Sequence, residues 1–392
     1  MRAKALLIVA PEPPPYYGAA VVTGRLLRAG RRGAFRFRHV DTMDPVGTAN
    51  MGRMAWDNLA LAARHYAATL RILLAGRDVG AVYLLGNFTN VPAFLRDAGL
   101  VGLARLFGKP VILHCHDNQV EAFAQAGGPL LRALARHALE SCARVVVLCD
   151  GIAGATRRVA PHARVHVVQN GLDLEPIGAR DHAPPEGGAR AVPRVLFLSQ
   201  LSEEKGFRTA LRVAAHIQEA GIPAAFDFAG SWRAPGDAER AARWVAEHGL
   251  EQTARVWGPV SEERKFELLR AADVFLFPTE LRHEGQPLVL LEAMAARLPI
   301  VTTDVGCIGD TVRSGEDGFV LPVGDVGGIA DGLANLLQDP AARGRMGAAA
   351  GEHYRATYTE ERFVERMMDL LREVAPEILP DVHAAPVAAG PA

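Results

Sequence analysis

Cysteine is scarce in this chain of 392 residues, and its four cysteines follow no metal-binding spacing. They stand singly at Cys115, Cys142, Cys149 and Cys307, without the paired Cys or Cys/His pattern of a zinc site. We therefore expect no bound metal and a reduced, cytoplasmic protein.

Long apolar runs are also absent, since no stretch reaches the eighteen residues of a membrane-spanning helix. The first apolar run, Ala5–Ala10, resembles the start of a signal peptide, but the prolines from Pro11 to Pro15 end it too early. It is more typical of a buried parallel strand. No Gly-x-Gly-x-x-Gly follows this run, which disfavours a dinucleotide-dependent oxidoreductase.

Net charge is only −1, but the two halves of the chain differ in sign. Residues 1–187 carry 22 Lys and Arg against 14 Asp and Glu, and the remainder carries 21 against 30. The basic half suggests an anionic partner, either a phospholipid surface or a lipid-diphosphate acceptor. The arginines between Arg25 and Arg38, with Phe35 and Phe37 among them, are the candidate membrane surface, and a merely solvated basic face is the alternative. Nucleic acid is disfavoured because basic and aromatic residues are not interleaved along the half.

Short apolar runs alternate with helical patterns along most of the chain. The expected strands are Ala5–Ala10, 81–85, 110–114, 144–148, 165–168, 194–199, Ala225–Ala229, 255–257, Val274–Phe277, Ile300–Thr303 and Gly318–Leu321. This alternation predicts two doubly wound α/β domains with parallel sheets. A Pro- and Gly-rich break separates them, so we expect a first domain at 1–178, a linker at 179–193 and a second domain at 194–359. Residues 377–392 are rich in Ala and Pro and are predicted to be a disordered tail.

One stretch carries two carboxylates eight positions apart, Glu284 and Glu292. It follows the predicted strand Val274–Phe277, and Pro287 suits the first position of a helix that carries Glu292. Backbone amides at the start of that helix would face a ligand in the loop and would favour an anion. An acid in the loop, an acid on the helix and a phosphate site between them predict a nucleotide-sugar pocket.

This Glu-x7-Glu spacing, followed by Ala293-Met294-Ala295 and by Pro299-Ile300-Val301, resembles the donor site of retaining family 4 glycosyltransferases. The resemblance implies the GT-B fold, in which two Rossmann-like domains face each other across a cleft. It also implies that Glu284 lies beside the transferred sugar, that Glu292 binds the ribose hydroxyls, and that helix 360–376 packs back on the first domain. No metal and no organic cofactor are implied, because the nucleotide sugar is a co-substrate.

Further donor-site positions match the family pattern only in part. Lys205 matches a lysine that contacts the donor diphosphate, whereas Gln200 stands where a second cation is usual, and Arg208 or Arg282 would have to compensate. The loop amides are expected to contribute as well. The remaining donor-binding positions implied by the resemblance are Gly18, Gly258, Gly285, Gln286, Pro287 and Leu288.

His116, in the run His114-Cys115-His116-Asp117, matches a histidine that contacts the transferred sugar. The His-x-His pair would also suit zinc, but no third ligand stands at a supportive spacing. Gly18 lies in a loop where the family has two glycines, and Ala19 replaces the second. The turn Asn170-Gly171-Leu172-Asp173 matches a turn that closes the first domain, and we expect its role to be structural.

The sequence thus predicts a retaining glycosyltransferase with Glu284, His116 and Lys205 as catalytic residues. It would move a sugar from a UDP- or GDP-sugar to a glycan or lipid-linked acceptor in cell-surface polysaccharide or glycolipid synthesis. Peripheral contact with the inner face of an anionic membrane is part of this hypothesis. Two alternatives stay open, a nucleotide-sugar 2-epimerase on the same fold and a degenerate nucleotide-sugar-binding protein without transfer activity.

Overall fold

The computed structural model describes residues 3–14, 18–43, 56–76, 78–174 and 192–379, without the side chains of residues 56–58. The chain divides into two compact units, Unit 1 (Met1–Val168 with Phe363–Ala392) and Unit 2 (Gln169–Arg362). The predicted linker lies outside the described residues except for its last two, and the predicted tail lies outside them from residue 380. In the described ranges, no helix combines the length and apolarity that crossing a bilayer requires.

Unit 1 is built on a parallel sheet whose described strands have the order β2-β1-β3-β4-β5-β6. Every residue of the first strand is buried, as expected for a strand covered on both faces. The elements in chain order are β1 (Ala5–Ala10), α1 (Gly18–Arg31), β2 (Arg36–Asp41), α2 (Trp56–Ala75), β3 (Val79–Gly86), α3 (Val91–Leu106), β4 (Val111–Cys115), α4 (Val120–Ala126), α5 (Gly128–Ser141), β5 (Arg144–Val147), α6 (Asp150–Val159) and β6 (Val165–Val167).

Strand β2 is absent from the sequence prediction, which treats this region as either a candidate membrane surface or a solvated basic face. The guanidinium groups of Arg36 and Arg38 lie 3.8 and 3.0 Å from the carboxylate of Asp78. Phe35 is buried in the core of Unit 1, and Phe37 packs against the same core. Since both aromatic rings face inward and these arginines have an acidic partner, the structure does not support a membrane surface here.

Unit 2 is built on a second parallel sheet, with the order β12-β11-β10-β7-β8-β9 among its described strands. Strand order reverses between β7 and β10, and ligands of doubly wound sheets bind at the carboxyl ends of such neighbours. The elements are β7 (Arg194–Leu198), α7 (Phe207–Glu219), β8 (Ala225–Ala229), α8 (Asp237–Glu247), β9 (Ala254–Gly258), α9 (Glu262–Ala271), β10 (Val274–Phe277), α10 (Leu288–Ala295), β11 (Ile300–Thr303), α11 (Ile308–Thr311), β12 (Gly318–Leu321), α12 (Val326–Gln338), α13 (Pro340–Thr357) and α14 (Glu360–Val374).

Helix α14 begins in Unit 2 and belongs to Unit 1 from Phe363 onward. Its buried side chains Phe363, Met367 and Leu371 lie in one hydrophobic cluster with Leu6 of β1 and Leu26 of α1. The last helix is therefore part of the first unit's core, and burial of its apolar stripe explains why so strongly amphipathic a sequence is helical here.

A buried carboxylate, Asp317, organises the turn before β12. It accepts hydrogen bonds from the guanidinium of Arg313 at 2.6 and 3.0 Å and lies 2.8 Å from Nδ1 of His353 on α13. Burial alone would raise the pKa of Asp317, but the hydrogen bonds from His353 and Arg313 outweigh it and lower this pKa to about 2. The ionised form is therefore the one that stabilises Unit 2.

Replacing Asp317 by asparagine should lower the free energy of unfolding by about 3 kcal/mol at neutral pH, because two charged hydrogen bonds are lost. The folded pKa of about 2 lies below the roughly 3.9 of an unfolded aspartate, so this contribution is complete above about pH 4 and fades as the pH falls toward 2. Urea unfolding of wild type and Asp317→Asn across this range measures the effect. A gap that stays constant with pH would contradict it, and the exposed Asp331→Asn on α12 is the control.

Candidate functional site

The carboxyl ends of β7 and β10 bring Lys205 and Glu284 into contact. The ammonium of Lys205 lies 2.7 and 2.9 Å from the two carboxylate oxygens of Glu284, although the residues are 79 positions apart. Glu284 is buried and the Lys205 side chain is largely so. Two residues that the sequence predicts to be catalytic thus form one charged pair in Unit 2.

Two local features place Lys205 against the end of β10. Gly206 has φ +77°, and a Cβ there would lie 1.9 Å from the carbonyl oxygen of Pro278, so only glycine permits this approach. The buried hydroxyl of Thr279 lies 3.2 Å from the carbonyl oxygen of Glu204 and 3.3 Å from the Glu284 carboxylate. Thr279 therefore joins the two loops, a role the sequence analysis missed because nothing in its spacing indicates it.

Helix α10 starts four residues after Glu284. Pro287 is its N-cap with φ −64° and ψ 121°, and the helix begins at Leu288, so the prediction that Pro287 is the first helical residue is wrong by one position. Proline has no side-chain acceptor, and no side chain caps this helix start. Its first amides and the positive end of the helix dipole therefore favour an anion at this position.

The side chain of Gln286 is directed elsewhere. Its Oε1 accepts a hydrogen bond from the backbone N–H of Asn170 at 2.7 Å, and its Nε2 donates to the hydroxyl of Thr311 at 3.2 Å. The Asn170 side chain donates in turn to the Gln286 carbonyl oxygen at 3.3 Å. This arrangement gives Gln286 a structural task, which is to tie the loop after Glu284 to the turn at Asn170.

Glu292, the second carboxylate of the Glu-x7-Glu motif, pairs with a different lysine. Its carboxylate lies 2.8 Å from the ammonium of Lys265 on α9, and Glu292 is buried at 9% exposure. Glu284, before α10, and Glu292, within it, are therefore held by separate cations. Lys265 was not predicted, because a helical lysine 27 positions away gives no signal in the sequence.

Gly306, which follows β11, lies against the backbone of the loop that carries Glu284. It has φ +58°, and a Cβ at this position would lie 1.8 Å from the carbonyl oxygen of Glu284. The backbone of Glu284 thus rests against the backbone of Gly306. The Gly285 carbonyl oxygen also accepts a 3.3 Å hydrogen bond from the N–H of Cys307. A glycine three residues after a predicted strand was the available signal in the sequence.

Two further predicted donor residues lie at the carboxyl edge of the same sheet. Gln200 follows β7 and is exposed. Gly258 ends β9 with φ +70°, where a Cβ would lie 3.0 Å from Nε1 of Trp232, and its carbonyl oxygen accepts a 2.9 Å hydrogen bond from Gly230. Glycine is therefore favoured at position 258, both by its left-handed backbone and by the closeness of Trp232.

The predicted residues of Unit 1 lie at the carboxyl ends of its own strands. His116 follows β4, and its ring lies against that of His114, tilted by 33° with centroids 4.1 Å apart. Burial lowers the pKa of His116 to about 4, so its imidazole is neutral at physiological pH. His114 Nδ1 lies 2.8 Å from the hydroxyl of Tyr83. Gly18 is the exposed first residue of α1, and the three residues before it lie outside the described part.

No group of three or more His, Cys, Asp and Glu side chains in the described ranges is arranged to hold a metal ion. His114 and His116 therefore have no third partner of this kind among the described residues. What the described site offers instead is a lysine, a carboxylate and an uncapped helix N-terminus at one sheet edge. That set suits an anion bound beside a group with hydroxyls.

Comparison with known proteins matches both parts of the chain. The family model for glycosyl transferases group 1 matches residues 184–353, and the model for glycosyltransferase family 4 matches residues 92–176. α-D-Kanosaminyltransferase of Streptomyces kanamyceticus is 26% identical over 285 residues, which is 69% of this chain and 72% of that protein.

Solved structures resemble the chain over most of its length. Sucrose-phosphate synthase from Thermosynechococcus elongatus has a TM-score of 0.72 at 18% identity, covering 94% of this chain and 99% of its own. HepE of Anabaena, solved in complex with UDP, has a TM-score of 0.72 at 14% identity, covering 94% of this chain and 100% of its own. At these identities the likeness is one of fold.

Proposed function

Because this chain belongs to the family 4, group 1 glycosyltransferases of the GT-B fold, we propose that it transfers a sugar from a nucleoside-diphosphate sugar with retention of anomeric configuration. The observation that carries this proposal is the Lys205–Glu284 pair beside the uncapped start of α10. A cation and a helix N-terminus suit the diphosphate, and a carboxylate next to them suits the sugar hydroxyls.

Lys205 is proposed to bind the diphosphate. A lysine ammonium has three N–H donors, and the two oxygens of Glu284 engage two of them, which leaves one direction for a phosphate oxygen. Gln200 brings no charge, and Arg208 pairs with Glu203 at 3.0 Å on the surface. Lys205, the α10 amides and the exposed Arg282 are then the groups expected to stabilise the leaving diphosphate.

Glu284 is proposed to orient the transferred sugar, and Glu292 the ribose. An ionised carboxylate accepts hydrogen bonds only, so each acid recognises hydroxyl groups that donate to it. Lys205 and Lys265 pair with the two carboxylates and fix their direction. The backbone at Gly285, Gln286, Pro287, Leu288 and Gly258 would complete the donor site.

The proposed reaction needs neither a metal nor a dedicated base. The bond from the anomeric carbon to the diphosphate oxygen breaks, the acceptor oxygen bonds to the same face, and the departing diphosphate takes the acceptor's proton. His116 is proposed to contact the sugar, since a neutral imidazole can accept a hydrogen bond from a hydroxyl. Unit 1 is proposed to bind the acceptor, a glycan or lipid-linked glycan.

We propose UDP or GDP as the donor nucleotide, and the UDP complex of HepE supports the first choice. If the backbone near Gly258 recognises the base, no side chain in the sequence indicates whether that base belongs to UDP or to GDP. Assaying transfer and donor hydrolysis with both nucleotide-sugar series would separate the transferase from a 2-epimerase, which releases nucleotide without an acceptor.

Replacing Lys205 by alanine should reduce the transfer rate by about a hundredfold or more, because the leaving diphosphate loses its cation. The measurement is initial-rate kinetics on purified protein, with far-UV circular dichroism to verify that the fold persists. Lys4→Ala is the control, since Lys4 forms a half-exposed pair with Glu377 in Unit 1. Near-normal turnover by the Lys205 variant would refute the proposed diphosphate site.

A further inference from the structure

Helices α2, α3 and α5 lie side by side on one face of the Unit 1 sheet. The chain moves across the sheet in the same direction from β2 to β3, from β3 to β4 and from β4 to β5. Because connections between parallel strands are right-handed, the helices in these three connections lie on the same face of the sheet. Helix α3 packs against both α2 and α5. The hydroxyl of Tyr66 on α2 donates to the Arg96 carbonyl oxygen at 2.8 Å, and a Cβ at Gly99 would meet that hydroxyl.

The outward side of this helix layer is apolar where water-facing residues are usually polar. On α3 the exposed positions Val91, Leu95, Gly102 and Leu106 are spaced by four, seven and four residues and so lie on one side of the helix, and Leu106 is 82% exposed. On α2, Leu74 is 68% exposed at the end of a shallow groove of about 480 Å³. We name as the leucine face the exposed residues Leu59, Leu70, Leu74, Val91, Leu95, Leu106, Leu130 and Leu134.

Among the described side chains of these three helices, the charges classed as exposed are all positive. Over the described side chains of α2, α3 and α5, the only acidic residues are Asp97, which is buried, and Glu140, which lies 3.0 Å from Arg136. The exposed basic residues are Arg64, Arg71, Arg105, Arg132 and Arg136. An apolar surface whose exposed charges, among the described side chains of its helices, are guanidinium groups is unusual, since ordinary surfaces carry both signs of charge.

We propose that the leucine face docks on an anionic phospholipid bilayer. Leucine and valine side chains would enter the boundary of the acyl chains, and the surrounding arginines would pair with lipid phosphates, as in amphipathic helices that lie in a membrane surface. Long arginine side chains can reach the head groups while their stems cover apolar surface.

Charge complementarity selects this partner over a second copy of the chain. Two leucine faces brought together would oppose two sets of arginines, and the described side chains of these helices include no exposed acid to balance them. A bilayer that contains anionic lipid offers negative charge at every point of contact. The leucine face lies on α2, α3 and α5, whereas the Arg25–Arg38 region of the sequence prediction lies on α1 and β2. The docking proposal does not depend on the proposed transfer reaction.

Co-sedimentation of the full chain with lipid vesicles tests this proposal. Wild type should bind vesicles of equal parts phosphatidylcholine and phosphatidylglycerol, and much less protein should bind to phosphatidylcholine alone. Raising the salt concentration should weaken the binding. Leu74→Glu, Leu95→Glu and Leu130→Glu, one on each helix, should each lower the affinity about tenfold, because an apolar contact is lost and a repelled charge gained.

Val323→Glu is the matched control, since Val323 is an exposed valine of Unit 2 and its variant should bind as wild type does. The substituted leucines are exposed, so thermal unfolding should be unchanged. Wild-type protein that fails to bind anionic vesicles, or leucine variants that bind them normally, would overturn the proposal. A wild-type dimer in sedimentation velocity that these variants dissociate would overturn it too, since the face would then join two copies.

Discussion

Replacing Glu284 by glutamine is expected to lower the transfer rate by about a hundredfold to a thousandfold, the range seen when one preorganised electrostatic contact is removed. Glutamine keeps the size of the side chain but brings an NH2 donor to the place where sugar hydroxyls are to be accepted. The ammonium of Lys205, which lies 2.7 Å from a carboxylate oxygen of Glu284 in the wild type, also loses its charged partner. Initial-rate kinetics with saturating donor and acceptor measure the loss.

The matched control for this change is Glu203→Gln. Glu203 lies in the loop that carries Lys205 and pairs with Arg208 at 3.0 Å, but both side chains are exposed. An exposed ion pair contributes less than about 1 kcal/mol, so this variant should transfer sugar at a near-normal rate. Equal activity of the Glu284 and Glu203 variants would show that the Lys205–Glu284 pair is only a structural contact.

Replacing Gly306 by alanine is expected to be nearly as damaging, although Gly306 has no side chain to offer a substrate. The new Cβ would lie 1.8 Å from the carbonyl oxygen of Glu284, so the backbone that carries this acid must move. Displacement of a catalytic group by about 1 Å can cost about a hundredfold in rate. We expect at least that loss, together with a lower melting temperature, measured by kinetics and by differential scanning fluorimetry.

The Gly315→Ala variant is the control that distinguishes a clash with the Glu284 backbone from the effect of backbone strain alone. Gly315 also has a positive φ, at +86°, but a Cβ there would meet nothing within 4 Å. Both substitutions place alanine in a left-handed conformation, which costs roughly 1 kcal/mol of stability. If the two variants lose the same activity, strain alone explains the effect and the support of Glu284 by Gly306 is refuted.

The sequence was sufficient to predict the doubly wound α/β fold and much of its strand pattern. Strands β1, β8, β10, β11 and β12 have the predicted bounds, because each is a short, mostly apolar run between turn residues. Strand β2 was missed, since Arg36 and Arg38 alternate with aromatic and polar residues at the sheet edge. Its β structure depends on pairing with β1, a partner that local composition does not reveal.

The candidate site was predictable as a set of positions but not as a set of contacts. Nothing in the sequence says that Lys205 meets Glu284 or that Lys265 meets Glu292, because these partners come from different strands and helices. The direction of the Gln286 side chain, toward Asn170, likewise follows only from packing. The leucine face escaped notice for a similar reason, since helical leucines are usually core residues and only the packed layer shows which ones face water.

The central claim is that Lys205 and the start of α10 bind the diphosphate of a nucleotide sugar. Isothermal titration calorimetry of UDP and GDP into wild type, Lys205→Ala and Lys4→Ala tests it without an acceptor or a known sugar. We predict that one nucleotide binds wild type and Lys4→Ala equally and that Lys205→Ala binds it at least about tenfold more weakly, as expected when a charged hydrogen bond is lost. Equal affinity of all three proteins, or no binding of either nucleotide to wild type, would contradict the account.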